Sequence, residues 1–130
     1  MYMKGKLILL FLLFAFKVDG QIYLGNIRDS VATVHEIVAN NQLLIFYGGE
    51  RDTCSKVLGF EAYILTKEKD TITLRSSSRT PQTNSFTASE IKRIKMMNPG
   101  DILYIPVCLQ SCSSCALRRR NINLKVRIKP

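Results

Sequence analysis

Apolar and polar residues alternate most regularly at the C-terminal end of the chain. Ile122, Leu124, Val126 and Ile128 fall on one side of an extended segment, and Asn121, Asn123, Lys125, Arg127 and Lys129 on the other. This period of two predicts a strand with one face against a core and a basic face in water. Residues 57–66 alternate in the same way, with Leu58, Phe60, Ala62 and Ile64 set against Gly59, Glu61, Tyr63 and Leu65. After the charged connection 67–70 the alternation resumes over 71–75, with Ile72 and Leu74 as the inward pair, so the two segments predict a β-hairpin. The apolar run Leu43–Tyr47, stopped by Gly48 and Gly49, predicts a buried strand followed by a turn. Residues 102–108 predict another strand in the sheet interior, and Pro106, which has no N–H for the ladder, moves it towards an edge or a bulge.

Two segments carry helical signals. Within 22–41, Val31, Val34, Ile37 and Val38 recur at helical spacing; their β-branched side chains also suit a strand, and the spacing tips the reading to helix. Thr87-Ala88-Ser89-Glu90 matches a capping box, and Ile91, Ile94 and Met97 follow three apart before the turn at Asn98-Pro99-Gly100-Asp101. That predicts a short helix, with a strand using Ile94 and Met96 as the competing reading. Residues 76–85, rich in Ser, Thr, Pro and Asn, form a surface loop. The elements together predict a mainly β domain, a small antiparallel β-sandwich or compact barrel with one or two short helices.

The N-terminal end follows a different pattern. Lys4 and Lys6 precede the apolar run Leu7–Phe16, and Lys17 and Asp19 follow it, the order of a secretory signal peptide. The run is too short for a spanning helix, which needs about 20 residues. The expectation is therefore a leader at 1–20, cut before Gln21, and a single secreted, extracellular domain at 21–130 without stable membrane insertion.

Export changes how charge and cysteines are read. The chain has a net charge of +9, most of it in 21–130. The basic excess would meet acidic partners outside the cell, and nucleic acid is not among them. In an oxidising compartment Cys54, Cys108, Cys112 and Cys115 are expected in disulfides that stabilise the domain, with connectivity open among three pairings. Cys112-Ser113-Ser114-Cys115 also has the spacing of a redox dithiol, which gives a thiol oxidoreductase as one alternative. Zinc held by Cys108, Cys112, Cys115 and His35 is disfavoured by export and by the remote histidine. No metal or cofactor is expected.

Catalysis finds little to rest on. His35 is the only histidine and has no evident nucleophile beside it. The acidic residues are scattered through turns and outward strand positions, and Asp101 reads as a turn residue. Tyr47, Tyr63 and Tyr104 sit inside predicted strands, where sheet packing is their default role.

The most suggestive feature is a basic patch. Arg118, Arg119 and Arg120 run into the strand that carries Lys125, Arg127 and Lys129 at two-residue spacing. Such a face would attract sulfated glycans or anionic membranes. The competing reading is a solvated edge strand whose charges prevent aggregation.

One stretch carries a family likeness. Cys54-x-x-Val57-x-Gly59-Phe60-Glu61-Ala62-Tyr63, then Asp70-Thr71-Ile72-Thr73-Leu74, then Pro99-Gly100-Asp101-Ile102-Leu103-Tyr104-Ile105-Pro106 resembles a β-sandwich module of animal extracellular and adhesion proteins. The likeness implies a binding or structural module without catalysis, and a strand at 91–97. The resulting expectation is a secreted binding module that engages an extracellular protein or an anionic glycan, helped by the basic C-terminal strand. A secreted signalling or defence factor acting on a receptor or membrane is the second alternative.

Overall fold

In the computed structural model the described residues are 21–47, 49–52, 54–76, 84–112 and 117–130. The expected leader at 1–20, Cys115 and most of the serine-rich loop lie outside them. The elements follow in the order β1 (Gln21–Leu24), β2 (Val31–Ala32), α1 (Val34–Ala39), β3 (Leu43–Tyr47), β4 (Glu50–Arg51), β5 (Lys56–Phe60), β6 (Ala62–Leu65), β7 (Thr71–Arg75), α2 (Ala88–Ile94), β8 (Ile102–Cys112) and β9 (Leu117–Ile128). The fold is mainly β, as the alternation predicts. No helix among the described residues is long and apolar enough to cross a membrane.

Strands β8 and β9 form the spine, an antiparallel hairpin paired from Ile102–Arg127 to Cys112–Leu117. They belong to a six-stranded sheet in the order β2-β9-β8-β6-β7, in which β5 also pairs with β8 and β2 runs parallel to β9. A second, three-stranded antiparallel sheet has the order β1-β3-β4. Neither strand order closes on itself, so the barrel alternative is not realised. Both sheets feed one hydrophobic cluster: Ile22 and Leu43 enter from the small sheet, Leu103, Ile105 and Val126 from the large one. Each such side chain, fully buried, stabilises the fold by roughly 1.5–3 kcal/mol.

The strand expected over 57–66 exists with one interruption. β5 and β6 lie in turn along the same side of β8, and the chain breaks between them at Glu61. The Glu61 N–H donates to the Pro106 carbonyl at 2.9 Å. Pro106 thus keeps its acceptor in use while its missing donor falls at the irregular point of the partner. It sits in an interior strand and not at an edge, because the neighbouring strand supplies the defect.

The hairpin of β6 and β7 forms as expected, closed by Thr66 and Asp70, with Lys69 at φ 70° in the turn. The inward pair is only half realised. Leu74 packs against the core, but Ile72, on the outermost strand, stays 38% exposed. A bulge at Leu74 adds one residue to β7 and brings Arg75, an outward position by simple alternation, to the inner side opposite Ala62.

Both helices begin with capping boxes, Thr33 with Glu36 and Thr87 with Glu90. α2 bears out the helical reading of the Thr87–Glu90 signal, so the strand that the adhesion-module likeness implied at 91–97 is not present. The helix expected within 22–41 is confined to α1; β1 and β2 precede it, with Ile22 pairing with β3 and Val31 with β9. Ile37 and Ile94 anchor the two helices in the core. The Asn98–Asp101 turn is built as read: Gly100 takes φ 94°, and the buried Asp101 carboxylate accepts from the Asn98 and Lys67 N–H groups.

Candidate functional site

Strand alternation sorts the basic residues onto two faces. On β9, Arg119, Asn121, Asn123, Lys125 and Arg127 are exposed on the outer side of the sheet, while Val126 and Ile128 are buried on the inner side. Arg120 has the inner parity, opposes Leu109 and is half-buried, so it does not join the outer row. The side chain of Arg118 lies outside the described residues. Arg119 shares the outer face but is six residues from Lys125, about 20 Å along an extended strand, with asparagines between. The six basic candidates are therefore not one patch. Lys125 and Arg127 stand as an exposed pair at the C-terminal end of the outer row.

Lys129 is committed elsewhere. Its Nζ lies 3.4 Å from Glu36 Oε1, and its N–H donates to Ala32, so it ties the end of β9 to β2 and to α1. Burial opposes ionisation of Glu36, but the hydrogen bonds from Thr33 and the Lys129 ammonium outweigh it and keep that carboxyl below its ordinary range. Among the described residues the ion pairs are this one and Arg75–Glu90, and neither takes up Lys125 or Arg127.

The neighbours of Lys125 are aromatic. It pairs across the ladder with Tyr104 of β8, which pairs in turn with Tyr63 of β6. The Lys125 ammonium stands 5.5 Å from the centre of the Tyr104 ring, within range of a cation–π contact. The two tyrosine rings lie side by side, centres 6.3 Å apart and planes at 32°. Burial first, then the hydrogen bond and negative charge of Glu61, push the Tyr63 phenol above its ordinary value, so it stays protonated. Both tyrosines are half-buried on the outer face. A row of aromatic, aromatic and cationic side chains crosses three adjacent strands, and sequence alone did not assemble it because β6 and β8 are far apart in the chain.

Comparison with protein-family models, curated proteins and solved structures finds no match. The site has to be judged on its own chemistry.

The cysteines divide. Cys108 is a free thiol, half-buried on the outer face between Gly59 and Asn121, so the disulfide expected of it is not formed. No joined cysteine pair lies within the described residues, yet Cys54 is not a free thiol. Cys112 ends β8, and its side chain, like all of Cys115, lies outside the described residues. No cluster of metal-ligating side chains occurs among the described residues, and His35 is exposed on α1.

An open groove of about 500 Å³ lies between β3, β4 and β5, lined by Arg51, Asp52, Ser55, Lys56 and Asn84 among others. Its carboxylate is already used. Asp52 accepts from Ser55 Oγ at 2.5 Å and from the Cys54 and Ser55 N–H groups, which hold it below its ordinary value against the effect of burial. Asp52 thus caps a turn. On the small sheet, Arg28 stacks over Tyr23 and Phe46 at 4.2 and 4.4 Å and donates to the Gly25 carbonyl, so its guanidinium is also occupied.

Proposed function

We propose that this chain is a secreted, non-catalytic binding module of the extracellular space that recognises anionic glycans through the outer face of β9. One observation carries the reading: Lys125 and Arg127 are exposed side by side on one sheet face, with neither drawn into an ion pair among the described residues. Charge placed so is available to an external anion. The leader-like order of residues 1–20 supports export, and the positive charge of the remaining chain supports an anionic partner.

Retention on a heparin column tests it. The double variant Lys125→Ala/Arg127→Ala elutes at clearly lower salt than the wild type, whereas Lys129→Ala, whose charge is shared with Glu36, shifts less. Unchanged elution of the double variant would sink the proposal and leave the outer face of β9 as a solvated surface whose charges serve only solubility.

Export also favours one stabilising bridge at the far end of the sheet. Continuing the β5–β8 register from Lys56–Gln110 by two residues sets Cys54 opposite Cys112, and directly opposed strand positions have Cα separations that a disulfide accepts. We take Cys54–Cys112 as the pairing. Peptide mapping without reduction is expected to recover these two residues linked and Cys108 alkylated; a Cys54–Cys115 peptide would overturn it.

A further inference from the structure

The tyrosine row has an asymmetry that a merely basic strand lacks. At one end, Glu61, two residues before Tyr63, sets a negative charge near the phenol; at the other, Lys125 and its strand neighbour Arg127 enter no ion pair among the described residues. Tyr104 stands between, with Tyr63 in register on one side and Lys125 on the other. Two strand spacings separate the ends, about 10 Å. A ligand lying across the strands meets, in order, a negative group, two aromatic rings and two positive groups.

Resting on the glycan reading above, we propose that Tyr104, flanked by Tyr63, is the platform for a sugar ring and that Lys125 and Arg127 take the sulfate or carboxylate of that same saccharide. The C–H face of a pyranose is apolar and packs on an aromatic face, which removes water from both without asking for a hydrogen bond. The charged substituent then points along the row to Lys125, where the Tyr104 ring already sits beside the ammonium and holds it over the face. Glu61 makes the opposite orientation unfavourable, since an anion placed over Tyr63 would meet a carboxylate. The surface therefore prefers a ligand with an uncharged ring next to a charged group. A polymer of uniform negative charge and no rings, such as polyphosphate, can use the cations and gains nothing from the tyrosines.

Calorimetric titration of the purified protein with a heparin-derived hexasaccharide and with polyphosphate of matched charge separates the contributions. Tyr104→Ala is expected to weaken the hexasaccharide by about threefold to tenfold, the worth of one aromatic contact, and to leave polyphosphate unchanged. Tyr104→Phe keeps both affinities. Lys125→Ala weakens both ligands. Should truncation at Tyr104 disturb the fold, Tyr104→Leu preserves apolar cover and makes the same comparison. A Tyr104→Ala or Tyr104→Leu protein that binds both ligands as the wild type does, or that weakens both equally, overturns the platform while a Lys125→Ala loss leaves the basic strand standing. A Lys125→Ala protein with wild-type affinity for both ligands overturns the platform and the glycan reading together. Tighter binding to phosphatidylserine vesicles than to the hexasaccharide, insensitive to Tyr104, also overturns the platform in favour of a membrane surface.

Discussion

Arg75 and Glu90 show how much a single misplaced residue can organise. The bulge at Leu74 turns Arg75 inward, where its Nε and Nη2 donate to the two Glu90 oxygens at 2.7 and 2.6 Å and its guanidinium lies 4.0 Å over the Phe60 ring. Their side chains are 1% and 9% exposed, so removing one partner strands the other charge away from water. Glu90→Ala is expected to cost about 3 kcal/mol in chemical denaturation, with Glu36→Ala, from the exposed pair, costing much less. The same carboxyl gives a pH signature. Burial raises its pKa, but the Arg75 guanidinium and the Thr87 N–H bring it below the ordinary 4.5. A carboxyl depressed in the folded state lends stability that is complete above its unfolded value and is lost as pH falls through the folded one. The denaturation midpoint should therefore decline below pH 4.5, and less steeply in Glu90→Gln; equal slopes would show that Glu90 is not a source of the decline. None of this is visible in the alternation of 71–75, because a bulge is fixed by the partner strand and leaves no mark on its own period.

At the scale of elements, what could be read was what is local. The Thr87-to-Glu90 capping box predicts α2, and the same spacing from Thr33 to Glu36 heads α1, inside a β-branched run that equally suits a strand. The hairpin of β6 and β7 and the inner row of β9 followed from period two. The pairings of β1 with β3 and of β6 with β8 did not, since periodicity says which face is apolar and not which strand lies alongside. The tyrosine row was hidden for that reason. Turns are where local sequence binds most tightly. A Cβ at Gly25, where φ is 55°, would stand 2.4 Å from Asn40 Cβ, and Asn40 both ends α1 and accepts the Asn26 N–H. Gly25→Ala is expected to destabilise by about 1–3 kcal/mol, as overpacking with backbone strain does, and Thr87→Ala by about 1 kcal/mol through loss of the cap. Thermal denaturation of the two variants checks the order; a Gly25→Ala protein as stable as the wild type would contradict the close approach.

For the whole molecule, the shared core means the two sheets should not unfold separately. Ile105, fully buried in the interior strand β8, lies in the cluster that also holds Ile22 and Leu43 of the small sheet. Ile105→Ala should lower stability by about 2–5 kcal/mol in one cooperative transition, seen alike by near-ultraviolet and far-ultraviolet circular dichroism. Separate transitions would divide the sheets into independent units.

The long β9 has a further consequence beyond any ligand. β2 covers only Arg127 and Ile128 on the side away from β8, so among the described residues most of that backbone edge is offered to whatever strand comes next. A second copy approaching edge to edge would set arginine and lysine against arginine and lysine, and that repulsion weakens as salt rises. The protein should thus reverse the usual behaviour of charge-driven assemblies: dilute salt keeps it dispersed, and concentrated salt brings copies together. Light scattering across a salt series would register this as growth in particle size, appearing at lower salt when Lys125 and Arg127 are neutralised.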